Sequence, residues 1–442
     1  MMTARQIALK ALSGYRRDNA WPDDTFNDIL SKNEISERDT ALAARIIKGV
    51  MQNMMLIDYY IGTFSTISLN KLQPLILDIL RLSVFQIVFL TKIPHNAAVN
   101  EGVALAKKHS NQKAAGYVNA VLRKISAAAN SFDLPTVLSD SEIKRLSLQY
   151  SHPLWLVNTL FDILGENTQV FLESNNNTDT PVTIQTNILK IESKKLLAQL
   201  ISEGAAVREH TLLTDCLLLD TPGRITDYSA YKDGGFYVQD AAARLAVIAA
   251  APKAGDIIID ACAAPGGKTF ASALAMKGMG KIFAFDVSED KLKRVIDGAK
   301  RLDLRIIEPR IADATIRDDK FFETADIVFA DVPCSGFGII RKKPEIRYKE
   351  PDEISGLPKI QKQILANVSA YVKPGGTLLY STCTVIKQEN EDVVFAFLAE
   401  HPDYSLEAFS LPGIGEIKDG YITLWPHTHE TDGFFIAKLR KP

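Results

Sequence analysis

The chain has 442 residues, 46% hydrophobic and 24% charged, with a formal net charge of -2 at pH 7. That length exceeds one ordinary core and predicts two or three domains, while the composition excludes a largely disordered or fibrous chain. Four cysteines without CxxC or zinc-finger spacing exclude a disulfide scaffold and predict a reducing compartment, the cytoplasm, where thiols stay free for chemistry.

Residues 1–130 carry 16 Lys+Arg against 10 Asp+Glu, so the basic end is the N-terminal one although the whole chain is slightly acidic. Such asymmetry suits both RNA steering and simple solubility of helical surfaces. Ile7, Leu9, Leu12 and Tyr15, then Ala43, Ile46, Ile47 and Val50, recur near a 3.6 period and predict a bundle of packed helices. Amphipathic helices are predicted over 96–110 and 112–127, exposing Lys107, Lys108, Lys113, Arg123 and Lys124. The N-terminal stretch lacks the unbroken apolar core of a secretory signal. The apolar run 72–90 contains Asp78, Arg81 and Gln86, and so reads as a buried helix rather than a membrane span.

Residues 130–139, rich in serine, asparagine and proline, read as a linker. A short helix over 151–164 and a loop at Ser174, Asn175, Asn176 and Asn177 follow. A strand from Val182, a helix over 191–203 and strands near 217–219 and 235–239 predict a small α+β module. From Lys253 onward strands at 256–260, 281–285, 305–311, 326–330 and 376–380 alternate with helices, two of them over 352–371 and 388–400, before a last strand at 433–439. That order predicts a doubly wound α/β sheet, Rossmann-like. The expected division is a helical domain over 1–130, linker helices with the α+β module over 131–240, and an α/β domain over 241–442.

Ligands of open parallel sheets bind beyond the carboxyl ends of the strands. After the first strand, Asp260-Ala261-Cys262-Ala263-Ala264-Pro265-Gly266-Gly267-Lys268-Thr269 opens a helix. Ala263, Ala264, Gly266 and Gly267 let a ligand approach the backbone, the helix start offers free amides, and Lys268 adds a full charge. A phosphate-binding loop of the form GxxxxGK[ST] is excluded because Cys262 stands where its first glycine belongs. Cys262 itself reads as packing. Asp286 ends the second strand, 26 residues beyond Asp260, where a carboxylate accepts from ribose hydroxyls and repels a 2'-phosphate. Asp313 follows the third strand and Asp331 the fourth.

Cys334 lies in Asp331-Val332-Pro333-Cys334-Ser335-Gly336 and Cys383 in Ser381-Thr382-Cys383-Thr384, after the fourth and fifth strands. Those strands are expected to be neighbours, so the two loops converge on one cleft. A thiolate that adds to C6 of a pyrimidine makes C5 enamine-like, and a base must then remove the C5 proton before the thiolate leaves. Two cysteines fit these two tasks. Lys268 and Arg341 are candidates to lower a thiol pKa. The run 340–349 holds five cations, Arg341, Lys342, Lys343, Arg347 and Lys349, against one carboxylate. With Tyr348 as a stacking platform it is expected to bind RNA. His427 and His429 lack further ligands, so no metal is expected.

Together the three motifs resemble the RNA cytosine-C5 methyltransferases. Ile93-Pro94-His95-Asn96-Ala97-Ala98-Val99-Asn100-Glu101 and Tyr117-Val118-Asn119-Ala120-Val121-Leu122-Arg123-Lys124 resemble the NusB-type RNA-binding domain, and Asp432-Gly433-Phe434-Phe435-Ile436-Ala437 resembles the end of the methyltransferase family. The resemblance implies S-adenosylmethionine as cofactor, held by Cys262, Ala263, Ala264, Pro265, Gly266, Gly267, Lys268, Asp286, Asp313 at the adenine, and Asp331. It implies Cys383 as nucleophile, Cys334 in product release, and Asp331 as the group that hydrogen-bonds the base near N3. DNA cytosine methyltransferases attack from the Pro-Cys position, so spacing alone leaves the two cysteines interchangeable. The architecture further implies a monomer acting on small-subunit (16S) ribosomal RNA, unassembled or early in assembly, without metal or membrane. Related catalytic domains act on transfer RNA or large-subunit RNA. Two other classes are a non-catalytic antitermination factor and an enzyme that methylates an exocyclic amine. The latter uses Asp/Asn-Pro-Pro-Tyr, and position 334 is cysteine. Val332 and Gly336-Phe337-Gly338 depart from the usual family pattern.

Overall fold

Helices dominate the first third of the chain. The computed structural model describes residues 2–18, 21–177, 180–220 and 223–442. Two compact units emerge, Met1–Asn176 with Ile340–Tyr348, and Asn177–Ile339 with Lys349–Pro442.

The first unit begins with α1 (Ala4–Asp18), α2 (Pro22–Lys32), α3 (Glu37–Phe64), α4 (Pro74–Phe89), α5 (His95–His109) and α6 (Gln112–Asn130). Their ends follow local chemistry. Proline starts α2 and α4, while Ser36 and Asn111 accept from the amides of Asp39 and Ala114 at the starts of α3 and α6. The run read as a buried helix is α4, with Ile79, Leu80, Leu82 and Val84 fully enclosed. Its buried polar groups are satisfied: Asp78 accepts from Ser13 Oγ and Arg16 Nε at 3.0 Å each, and Gln86 Nε2 donates to the Leu82 carbonyl. Among the described residues no helix is long and apolar enough to cross a membrane. Gly49 allows α3 to approach α4, since a Cβ there would lie 1.9 Å from the Phe85 ring.

Three helices follow where one was expected: α7 (Glu142–Gln149), α8 (Leu154–Leu164) and α9 (Thr168–Asn175). The expected loop at Ser174 and Asn175 is the last turn of α9, because burial of Phe171, Leu172 and Asn175 carries the helix through poor helix formers. Ile340–Tyr348 completes this unit and corrects the expected RNA contacts. Arg347 is fully buried, and its Nη1 donates to the carbonyls of Gln52, Tyr150 and Ser151 and to Asn176 Oδ1 at 2.8–3.3 Å. Burial draws the guanidinium pKa down to about 10, so it remains charged at neutral pH. Tyr348 donates its hydroxyl to the Met51 carbonyl at 2.7 Å. The remaining Arg347 nitrogens, Nε and Nη2, are buried without a partner in the protein and the Tyr348 hydroxyl is spent on Met51, so neither side chain offers a polar end at the surface to a phosphate or a base. Lys343 is exposed, with its ammonium 5.8 Å from the Trp21 ring centroid.

The second unit opens with a four-stranded antiparallel sheet: β1 (Val182–Thr186), β2 (Val207–Glu209), β3 (Cys216–Leu219) and β4 (Phe236–Val238), in the order β2-β3-β1-β4. Leu196 and Leu200 of α10 (Ser193–Ser202) pack against Ile184, Leu217 and Phe236. After the short α11 (Ser229–Lys232), Gly234 adopts φ +72, and any Cβ there would lie 2.0 Å from the Arg301 carbonyl. Asn187 Nδ2 donates to the Leu302 carbonyl and Arg301 Nη1 to the Phe236 carbonyl, fastening this small sheet to the next layer.

That layer comprises α12 (Ala241–Ala250), β5 (Ile257–Asp260), α13 (Gly267–Ala275), β6 (Lys281–Asp286), α14 (Glu289–Leu302), β7 (Ile307–Ile311), β8 (Ala325–Asp331), α15 (Pro351–Ile354), α16 (Leu357–Ser369), β9 (Val372–Thr382), α17 (Glu391–Glu400), β10 (Ser405–Leu406), β11 (Phe409–Leu411), β12 (Gly415–Ile417), β13 (Tyr421–Leu424), α18 (Pro426–His429) and β14 (Phe434–Arg440). The sheet order is β10-β14-β9-β8-β5-β6-β7, with β13 beside β14. Strands β5 to β9 are parallel and β14 is antiparallel to β9. Side chains alternate between two cores. Ile258, Phe329, Leu379 and Ile436 pack with residues of α12, α13 and α14, whereas Ile259, Val328, Leu378 and Phe435 pack with residues of α16 and α17. The single helix expected over 352–371 is broken in two, where Gly356 precedes a proline in the first turn of α16.

Arg347→Ala is expected to lower the free energy of unfolding by at least about 3 kcal/mol, because it strips one buried donor from four acceptors and leaves a cavity. Lys343→Ala, at an exposed position, should change it by less than about 0.5 kcal/mol. Urea denaturation of both variants checks this, and equal effects would refute the assignment.

Candidate active site

The carboxyl ends of β5 to β9 carry every motif residue expected to do chemistry. After β5 the chain turns sharply: the Ala263 amide donates to the Phe285 carbonyl and the Gly266 amide to the Ala263 carbonyl, both at 2.7 Å. Gly266 has φ +109, and a Cβ there would lie 2.4 Å from the Phe270 ring. Helix α13 starts at Gly267, so its first amides point outward with no carbonyl one turn back. Asp286, at the end of β6, accepts from the amides of Ala264 and Ser288. Asp313 is exposed, and the Thr315 hydroxyl and amide hold its carboxyl below the usual range. A cavity of about 190 Å³ lies among Gln239, Asp260, Ala263, Gly267, Lys268 and Asp331. Gln239 Nε2, buried at its edge, has no hydrogen-bond partner in the protein.

Lys268 is only 8% exposed, and its Nζ lies 2.6 Å from Asp331 Oδ2. The other oxygen of Asp331 accepts from the Ser381 hydroxyl at 2.8 Å. Of the cations expected to acidify a thiol, Lys268 is therefore paired with Asp331, and Arg341 belongs to the Ile340–Tyr348 segment of the helical unit. Asp260 is fully buried and was assigned no function by its sequence position. Burial lifts its carboxyl to about 6, opposed by the Thr269 hydroxyl that donates to it at 2.6 Å.

Parallel pairing of β8 with β9 sets Asp331 opposite Ser381 and brings the two cysteine loops together. Cys334 Sγ and Cys383 Sγ are 3.3 Å apart and both residues are half-buried. The Cys334 thiol is pushed well above its ordinary range, first by its hydrogen bond to the Cys383 sulfur and then by burial. Cys334 thus holds its proton while Cys383 stands beside it. The other two cysteines are elsewhere: Cys262 is half-buried with its thiol pushed up by burial, and Cys216 donates to Gln185 Oε1 at 2.7 Å in the small sheet.

Three residues that the sequence did not single out, and one that it assigned to RNA, hold these loops. Glu389 Oε2 accepts from the Ser335 amide at 2.9 Å and from Gln361 Nε2 at 2.8 Å. Asn390 accepts from the Thr382 hydroxyl and donates to the Thr384 carbonyl. Lys349, expected on an RNA phosphate, donates instead to the Ser335 carbonyl at 2.7 Å. In sequence Glu389 and Asn390 look like the polar start of a surface helix, and no periodicity marks them as buried. His429 Nδ1 accepts from the Trp425 amide. Among the described residues no group of three or more His, Cys, Asp or Glu is placed to hold a metal.

Comparison with known proteins finds matches along nearly the whole chain. The family described as 16S rRNA methyltransferase RsmB/F matches residues 247–440, the NusB family matches residues 2–127, and an RsmF/B-like methyltransferase ferredoxin-like domain matches residues 152–226. The chain is 35% identical to the probable ribosomal RNA small subunit methyltransferase B of Bacillus subtilis over 99% of both proteins. It is 31% identical to ribosomal RNA small subunit methyltransferase B of Vibrio cholerae, over 100% of this chain and 98% of that protein. The crystal structure of PH0851 matches 100% of this chain and 99% of its own at 28% identity, with a TM-score of 0.82.

The raised Asp260 carboxyl predicts a pH signature. An acid whose pKa is higher folded than unfolded binds more protons in the folded state, so its charge lowers stability above about pH 6 and has no effect below about pH 4. Asp260→Asn should therefore stabilise the protein by up to about 3 kcal/mol near pH 8, with the gain vanishing by about pH 4. Denaturation curves across that range check it, and a gain independent of pH would exclude burial of charge as the cause.

Proposed function

Because the chain belongs to the RsmB/F family of 16S rRNA methyltransferases, joined here to a NusB-family domain, we propose that it methylates C5 of a cytosine in small-subunit ribosomal RNA through a covalent cysteine-C6 adduct. The observation that carries this reading is the pair of thiols 3.3 Å apart at the ends of adjacent parallel strands. The cofactor of the family is S-adenosylmethionine, which supplies the methyl group. The turn from Cys262 to Lys268 would hold it together with Asp286, Asp313 and Asp331, and the closely packed Gly266, the outward amides of α13 and the unpartnered Gln239 Nε2 suit such a ligand.

In this reading the Cys383 thiolate adds to C6 and the ring's electrons move toward C5. Asp331, held by Lys268 and Ser381, is oriented to hydrogen-bond the base near N3, where a proton shared between N3 and the carboxyl offsets the negative charge that develops as the thiolate adds. After methylation the C5 proton is removed, the sulfur-C6 bond breaks, its electrons leave with Cys383, and the C5-C6 double bond re-forms. Cys334 serves this release. Its proton is held chiefly by the neighbouring Cys383 sulfur; once Cys383 is bonded to carbon that hold is lost, the proton passes to solvent, and the Cys334 thiolate left behind takes the C5 proton. The target cytosine must be unstacked for C6 to reach the thiol, which favours RNA that is unassembled or early in assembly. Arg341, Lys342 and Lys343 remain the phosphate contacts of the basic run, and we place the enzyme in the cytoplasm as a monomer. A transfer RNA or large-subunit RNA substrate would use the same chemistry.

Purified protein incubated with radiolabelled S-adenosylmethionine and unmodified small-subunit RNA should yield 5-methylcytosine. Cys383→Ala should yield none, and Cys334→Ala should accumulate a protein-RNA adduct that survives denaturing electrophoresis. Methylation of transfer RNA alone would overturn the substrate. Retained activity in Cys383→Ala would overturn the covalent route, and binding without transfer to any RNA would revive the antitermination reading.

A further inference from the structure

Two consecutive buried residues just before α17 each grip a different cysteine loop. Glu389 is 2% exposed and Asn390 is fully buried. On the Cys334 side, Glu389 Oε2 takes the Ser335 amide and Gln361 Nε2, and Gln361 Nε2 also donates to the Pro333 carbonyl at 2.9 Å. The residues on both flanks of Cys334 are thereby tied to one carboxylate. On the Cys383 side, Asn390 Oδ1 takes the Thr382 hydroxyl at 2.6 Å and Nδ2 donates to the Thr384 carbonyl at 3.1 Å, so the flanks of Cys383 are tied to one amide. The Tyr380 hydroxyl donates to the Glu389 carbonyl at 2.5 Å and fixes the stem of both side chains to β9. A hydroxyl pair, Ser335 Oγ and Thr384 Oγ1 at 2.7 Å, closes the frame between the loops.

We infer that Glu389 and Asn390 form a two-armed brace that sets the separation of the two thiols, Asn390 positioning Cys383 for attack and Glu389 positioning Cys334 for release. Both are positioning residues, since their side chains act on the loops rather than on substrate. One carboxylate oxygen taking two N–H donors ties both donors' loops to a single point. Misplacing a reacting group by about 1 Å costs on the order of a hundredfold in rate. One backbone turn carrying both arms therefore keeps the thiols in register with each other even if the surrounding loops shift. The inference rests on the two-cysteine reading above.

The test compares Asn390→Ala, Glu389→Ala and Glu389→Gln with wild type and with Cys383→Ala and Cys334→Ala, in single turnovers that separate adduct formation from adduct decay. Asn390→Ala should slow adduct formation about a hundredfold without accumulating adduct. Glu389→Ala should form adduct at near the wild-type rate and then accumulate it, as Cys334→Ala does. Glu389→Gln, which keeps an acceptor oxygen, should restore turnover to within about tenfold of wild type. A second readout needs no RNA: diamide oxidises the two thiols to a disulfide as it is itself reduced to the hydrazine. The rate of that pairing, followed by mass spectrometry, should fall in both alanine variants and stay unchanged in Lys387→Ala. Pairing at the wild-type rate in both alanine variants, or equal losses in formation and decay accompanied by a lowered melting temperature, would overturn the brace. If Cys383→Ala remains active the cysteine assignment fails instead, and the pairing rate still decides the brace.

Discussion

In the ladder between β8 and β9, Ala330 stands opposite Tyr380 and Asp331 opposite Ser381. A slip of one residue in either strand would turn every side chain to the other face and move one cysteine loop about 3.3 Å along the strand axis. The alternation of Val328, Phe329 and Ala330 between two cores forbids that slip, because each core is filled by helices on its own side. Hydrophobic packing far below the loops thus fixes where two sulfur atoms meet. The Asp331–Ser381 hydrogen bond is the last rung of the same arrangement, made by side chains rather than backbone.

Around those sulfurs the protein gathers buried ionisable groups that contribute little to stability. Asp260 is held in an environment that opposes its charge, Lys268 is drawn into a contact with Asp331, and Glu389 is enclosed beside Ser335. Removing such groups from water costs free energy that mutual attraction only partly returns. Their value lies in orientation. A carboxylate already desolvated and hydrogen-bonded does not reorganise when charge develops on a bound base. The same logic explains the close contact at Gly266, where lack of a side chain lets the turn fold tightly over Phe270.

Much of the second unit was legible in the chain because parallel strands buried on both faces are written as unbroken apolar runs, and 257–259 and 327–330 are of that kind. Motifs at their ends then located the glycine-rich turn and both cysteines. Strands of two to four residues, β2 and β10 to β13, carry too few positions for any period to register. Charge misled in two places, in opposite senses. Arg347 sits in a basic run that resembles a solvated face, yet its environment is made by the carbonyls of Gln52, Tyr150 and Ser151, which lie about two to three hundred residues away in the chain. Glu389 and Asn390 resemble an ordinary helix start, and only the tertiary structure reveals that their partners are the loops before and after two thiols.

The discontinuity of the helical unit bears on the order in which this protein can be completed as it is made. Asn176 ends the main body of that unit, but Arg347, which its buried carbonyls accept from, is synthesised much later. At ordinary translation speeds the interval is roughly ten to thirty seconds. During it the carbonyls of Gln52 and Ser151 have only water or chaperones to answer them. A nascent chain released too early would expose that unfilled slot, so the last ordering step of the N-terminal unit is timed by the emergence of a segment encoded downstream of Cys334.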